Sequence, residues 1–157
     1  MRKLVVVTVV LAALVALALT GCLSTNTQPK DFFQLVTAGT PQDVQAAISN
    51  GADVNARDTA GMTALMDAAG ANKNPEVITI LLKAGADIKA RGLHFSQTPL
   101  MSAAYNNPNP VVIATLLKAG ADAKAKDNEG KTAFDYAQTN EKLKGTDALK
   151  QLEEASK

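Results

Sequence analysis

The triplet Gly-Ala-Asp recurs at Gly51-Ala52-Asp53, Gly85-Ala86-Asp87 and Gly120-Ala121-Asp122, with spacings of 34 and 35 residues. A second marker keeps the same register. It runs Thr63-Ala64-Leu65, Thr98-Pro99-Leu100 and Thr132-Ala133-Phe134, spaced 35 and 34. A third pairs Leu81-Leu82-Lys83-Ala84-Gly85 with Leu116-Leu117-Lys118-Ala119-Gly120. Such a period constrains the fold more than any composition does. Each unit is one supersecondary element that cannot bury its apolar face alone, so the units must stack.

The residues within a period predict a pair of short helices. Thr63 and Thr98 stand where a hydroxyl caps a first helix. Second helices open at Pro75 and Pro110, where a missing N–H costs nothing. Val77, Ile80, Leu81 and Val112, Leu116, Leu117 follow at helical spacing. Gly85 and Gly120 then stop each helix in a left-handed turn. Helices this short do not persist alone in water, so stability must come from stacking. Aromatic residues are only 4% of the chain and Trp is absent, so close packing falls to pairs such as Ala68-Ala69 and Ala103-Ala104. Met66 and Met101 read as core filler.

Thr98-Pro99-Leu100-Met101-Ser102-Ala103 and Thr63-Ala64-Leu65-Met66-Asp67-Ala68 resemble the T-P-L-H-x-A signature of ankyrin repeats, with Met at the His position. The resemblance covers Asp31 to Lys157 and implies an all-α solenoid of about four helix-turn-helix units with β-turn fingers. The units are read as 31–57, 58–92, 93–126 and 127–157, with the outer two as caps. The one or two residues in excess of the family's period are placed between the helices, at Asn72-Lys73-Asn74-Pro75 and Asn106-Asn107-Pro108-Asn109-Pro110. In the first unit, helices are expected over Asp31–Val36 and Pro41–Ser49; in the last, the second helix is expected near Thr146–Ala155.

Ankyrin repeats are binding scaffolds, so the resemblance implies a protein partner rather than a substrate. The family's usual contact surface is the concave face, made of the fingers and the first helices. On this chain that surface maps to Arg57, Thr59, Met62 and Asp67; to Lys89, Arg91, His94, Gln97, Ser102 and Tyr105; and to Lys126, Asn128 and Lys131. Ala60, Phe95, Lys124, Glu129 and Asp135 lie beside them, and the flanking charges make the fingers lean basic. The run Leu93-His94-Phe95 is apolar for a loop, with Ser96 where the turn Gly is expected. Either Phe95 tucks into the stack or the run is a contact patch.

The N-terminus reads as an address. Arg2 and Lys3 precede an apolar stretch from Leu4 to Leu19, and Leu19-Thr20-Gly21-Cys22 resembles a bacterial lipobox. The resemblance implies a signal peptide over 1–21, lipid on Cys22 and a tether over 22–30. Two acyl chains anchor a protein stably, at about 0.8 kcal/mol per buried CH₂. Cleavage would leave 136 residues with a formal charge of −1 and no free thiol. Leu23 is not Asp, so in a Gram-negative host the family rule points to the periplasmic face of the outer membrane.

Little in the sequence points to catalysis. One His and one Cys supply neither a two-imidazole metal site nor an internal disulfide. Asp53, Asp87 and Asp122 read as turn residues that bond their own backbone. Gly130-Lys131-Thr132 lacks the earlier Gly of a phosphate loop, because Ala125 stands there. A formal charge of +1 argues against nucleic acid. No catalytic residue, cofactor or metal is therefore expected, and the chain is expected to be a monomer. The expected role is a membrane-tethered binding module of the bacterial envelope. The alternative, by family analogy alone, is an inhibitor, immunity or stress-protection protein acting on an envelope enzyme or effector.

Overall fold

A computed structural model describes residues 29–157; the expected signal peptide and Cys22 lie outside the described residues. Four helix pairs follow one another along the chain. They are Pro29–Ala38 (α1) with Pro41–Ser49 (α2), Ala64–Ala71 (α3) with Pro75–Lys83 (α4), Pro99–Asn106 (α5) with Pro110–Lys118 (α6), and Ala133–Thr139 (α7) with Asp147–Ser156 (α8). A single 3₁₀ turn, Glu141–Leu143, joins the last pair, and no strand occurs among the described residues. First helices pack on first helices and second on second, giving two layers with the core between them. Pro29 and Lys30, expected in the tether, form the first turn of α1.

Local chemistry sets each boundary. Thr40, Thr63, Thr98, Thr132 and Thr146 are N-caps whose hydroxyls accept an amide N–H from the first turn. Each such cap stabilises its helix by about 1 kcal/mol. Asn74 and Asn109 cap α4 and α6, with Pro75 and Pro110 as the first helical residues. Helix α4 ends by donating from the Gly85 N–H to Leu82 O and from the Ala86 N–H to Leu81 O. Gly85 has φ +92°, as this closure requires. The same closure ends α2 at Gly51 and α6 at Gly120. Asp53, Asp87 and Asp122 each accept the backbone N–H two residues on. The Gly-Ala-Asp marker is thus a helix stop followed by a side-chain-bonded turn.

The core runs along the whole stack. Ala68, Ala69, Ala103 and Ala104 are fully buried where first helices meet, and Met66 and Met101 are buried beside them. The second-helix stripe differs from the expected one. Ile78 and Ile113 are fully buried, whereas Ile80 and Leu117 are only partly covered. A second helix packs on its own partner and on neighbouring second helices, which turns its buried face toward the residue after Val77 and after Val112.

Buried asparagines lock the units together. Asn72 Nδ2 donates to Val36 O and Gly39 O. Asn107 Nδ2 donates to Ala69 O at 2.7 Å and Asn72 O at 2.8 Å. Asn140 Nδ2 donates to Ala104 O and Asn107 O. Each of the three also accepts, through Oδ1, the N–H of the residue two positions on. Side chain thus reaches from each unit back into the one before it.

Candidate functional site

Three loops connect the pairs, and two of them are alike. Asp58 N–H donates to Met62 O, and Asp127 N–H donates to Lys131 O. In both, the Asp side chain accepts two amides of its own loop, and Gly61 or Gly130 supplies a left-handed residue. The middle finger departs at both points. Gly92 replaces the Asp, Ser96 replaces the Gly, and the loop closes from the Gly92 N–H to Gln97 O, one residue longer. The step from 34 to 35 in the period therefore comes from this finger. Thr63 to Gly85 and Thr98 to Gly120 are both 22 residues, so the segment between helices does not grow from one unit to the next.

The extra residue puts apolar side chains in water. Leu93 is 68% exposed and Phe95 59% exposed, so Phe95 does not tuck into the stack. Ser96 has φ +54°, a region that favours glycine. We expect Ser96→Gly to raise unfolding stability by about 0.5–1 kcal/mol, because relief of the left-handed strain outweighs the added backbone entropy. A urea titration would show it; a loss of stability would mean that the Ser96 side chain holds the loop.

The cationic residues of the expected contact face divide into two groups. Arg57 Nη1 donates to Gly61 O and to Arg91 O in the next finger. Arg91 Nη1 donates to Ser96 O and to Lys126 O in the finger after that. These guanidiniums fasten finger to finger. Asn128 does likewise, donating from its N–H to Phe95 O and from Nδ2 to His94 O. Thr59, Lys89, His94 and Lys126 are exposed. The basic lean is offset once Asp53, Asp58, Asp87, Asp122, Asp127 and Glu129 are counted, since they match Arg57, Lys89, Arg91, Lys124, Lys126 and Lys131 in number. Only the middle finger keeps an excess, with Lys89 and Arg91 against Asp87.

Below the fingers, the first helices carry an aromatic cluster. Tyr105 on α5 meets Tyr136 on α7 edge-to-face, with ring centroids 5.7 Å apart, and stays 61% exposed. Gln97 Nε2 donates to the Tyr136 hydroxyl, which itself donates to Asp127. Lys131 lies 5.7 Å from the centre of the Tyr136 ring and pairs with Glu129 at 2.7 Å. Burial pushes the Tyr136 hydroxyl pKa up, and its bond to Asp127 adds to this. Tyr136 and Asp127 were not among the expected contact residues. Register alone finds Tyr136, four residues after Thr132, as Asp67 follows Thr63 and Ser102 follows Thr98.

The other three expected residues sit deeper. Met62 is partly buried, its sulfur close over Gly92. Ser102 is only 8% exposed, so it offers no open surface of its own. Asp67 is partly buried, and burial, with the charge of Asp58, pushes its pKa up to about 6. The folded state therefore holds this proton more tightly than the unfolded chain between pH 3.8 and about 6. Stability falls as pH rises through that window. Asp67→Asn should recover about 1 kcal/mol at pH 7 after discounting for solvent screening. Below the unfolded carboxyl's pKa of 3.8 it should recover nothing. Urea midpoints at both pH values would check this; a gain at acid pH equal to that at neutral pH would refute the charge account.

No helix among the described residues is long and apolar enough to cross a membrane. Among the same residues no group of His, Cys, Asp and Glu is placed to hold a metal ion.

Comparison with known proteins agrees with the geometry. The family described as ankyrin repeats in many copies matches residues 48–94 and 93–137. A protein named mitochondrial disaggregase from Bos taurus is 43% identical over 77 residues, 48% of this chain. Its namesake from Homo sapiens is 42% identical over 79 residues, 49% of this chain. The chain spans only 11% of the length of either relative. The repeated helix pairs, their finger loops and the family match over more than half of the sequence lead to one assignment: the chain belongs to the ankyrin-repeat family.

Proposed function

We propose that this chain is a protein-binding module held at a bacterial envelope membrane by lipid on Cys22, and that it takes its partner on the finger and first-helix face. The observation that carries the binding face is the clustering of exposed apolar side chains on one unit. Leu93, Phe95 and Tyr105 all belong to the middle finger and the helix that follows it. The corresponding stretch of the neighbouring fingers is Thr59-Ala60 and Asn128-Glu129, which is small or polar. A soluble domain gains nothing by exposing Phe and Leu on a loop, whereas aromatic and aliphatic anchors dominate binding energy at interfaces. The membrane part of the reading rests on Arg2 and Lys3, the apolar stretch from Leu4 to Leu19 and the run Leu19-Thr20-Gly21-Cys22. Neither the organelle nor the activity in the relatives' name is carried over, because the alignments cover so little of those proteins.

Photo-crosslinking in the native cell tests the face. The probe replaces Phe95, which is exposed, rather than Gln97, which bonds Tyr136. One dominant captured protein, lost when Tyr105 is changed to Glu, is the expected result. A smear of abundant neighbours insensitive to that change would move the search to the other face. In parallel, a clickable fatty acid should label the wild-type chain and not Cys22→Ser; labelling of both would end the lipid-anchor reading.

A further inference from the structure

Two successive gaps between units are built alike except for one bridge. In the first, Asn55 spans the gap: its Nδ2 donates to Gly85 O, and its Oδ1 accepts the Asp87 N–H. Asn55 stands two residues after Asp53, and Lys89 stands two residues after Asp87. Lys89 therefore takes the bridging place in the second gap. The groups it faces by register, Gly120 O and the Asp122 N–H, have no protein partner among the described residues. An ammonium can donate to the carbonyl, but it has nothing with which to accept the amide.

The second gap is also open. A recess of about 470 Å³ lies there, and Lys89, Arg91, Thr98, Gly120 and Asp122 are among the residues that line it. Arg91 is held along one edge, where Nη1 donates to Ser96 O and Lys126 O. Its Nε and Nη2 donate to no protein group among the described residues. Thr98 is nearly buried, and its hydroxyl oxygen accepts the Met101 N–H. The hydroxyls of Thr40 and Thr132 give their protons to Asp43 and Asp135, but Thr98 has Met101 at that position and its proton has no acceptor among the described residues. Thr63 is alike, yet its gap is the one that Asn55 bridges. The Asp122 carboxylate is turned to its own loop, accepting the Lys124 N–H. The recess thus gathers two cations, an amide and a hydroxyl proton, against one carboxylate already in use.

We infer that this recess receives a carboxylate, the side chain of an Asp or Glu on the protein partner. The inference deepens the binding-face reading and rests on it. A carboxylate supplies what the groups lack, since it only accepts hydrogen bonds and carries the opposite charge. The guanidinium fork suits its two oxygens. The site belongs to the finger that keeps a positive excess and exposes Leu93 and Phe95. An acidic residue beside an apolar one on the partner would meet both features. A dianionic phosphate suits the recess less, because the Asp122 carboxylate repels it twice as strongly.

The test uses the full ¹⁵N-labelled chain in non-ionic detergent micelles, with the Asp122 amide and the Arg91 Nε followed by NMR. The probes are N-acetyl-glutamate amide, its uncharged glutamine counterpart, inorganic phosphate, and sodium chloride at matched ionic strength. Saturable shifts at both groups are expected with the glutamate probe, and binding weaker by about tenfold or more with the glutamine probe. Lys89→Asn should abolish the response while the chain stays folded, because the new amide takes Gly120 O and the Asp122 N–H as Asn55 takes their counterparts. Equal shifts with glutamate and glutamine, shifts that chloride reproduces, phosphate binding tighter than glutamate, or a response that survives Lys89→Asn would each overturn the inference. The titration needs no partner, so its failure is distinct from a failed crosslink at position 95. A partner captured there should lose about tenfold in affinity with Lys89→Asn. Unchanged affinity would overturn the carboxylate assignment and leave the binding face standing.

Discussion

Replacing Asn107 with alanine is expected to cost about 3–4 kcal/mol of unfolding stability, a large share of what a domain of this size holds. The residue is completely buried. Its amide gives two short bonds to Ala69 O and Asn72 O, and its Oδ1 accepts the Asn109 N–H at 2.8 Å. Alanine removes all three and leaves the freed backbone groups without water to replace the lost partner. An unmade buried bond costs more than a made one contributes. The loss should be cooperative, because the same side chain joins the second unit to the third and closes the turn into α6. Urea unfolding followed by circular dichroism measures it. A shift under about 1 kcal/mol would show that water can take over the amide's place.

Leu100→Ala should cost a similar amount, about 3–4 kcal/mol, through an emptied space rather than lost bonds. Leu100 is fully buried near the start of α5, with α3 on one side and α7 on the other. Helices pack on both of its sides, so relaxation is small and the cavity persists. Leu152→Ala in α8 makes the useful contrast. Leu152 is just as buried, but α8 belongs to the last of the four described pairs. In a nearest-neighbour array, damage at the end unit loosens that unit first. Hydrogen exchange should therefore rise throughout the stack for Leu100→Ala and mainly beyond Thr132 for Leu152→Ala. Uniform exchange in both variants would mean that the units unfold as a single block.

The architecture was legible because its markers are the stops and starts of helices. Gly85 can be read as a stop from the leucines before it and the Asp after it, and Thr98 as a cap from the Pro that follows. The asparagine lock was not read, although Asn72, Asn107 and Asn140 recur at nearly the same period. Asparagine between helices looks like a loop residue, and only the two carbonyls from the preceding unit reveal that it is buried. The arginines misled in the opposite way. Arg57 and Arg91 look like free surface charge, yet their recipients are backbone carbonyls 34 and 35 residues on, which no local pattern announces. On the finger and first-helix side, register placed Asp67, Ser102 and Tyr105 on the first helices, but not the missing partner of the Ser102 hydroxyl.

The asparagine bonds also give the stack a direction. Every side chain among Asn72, Asn107 and Asn140 reaches toward the N-terminus, and the acceptors belong to the earlier unit. A chain delivered from its N-terminus meets each donor only after its acceptors are in place. The bonds therefore form in the order in which the chain is delivered. Each new pair brings the donors that fasten it to carbonyls already fixed in the pair before.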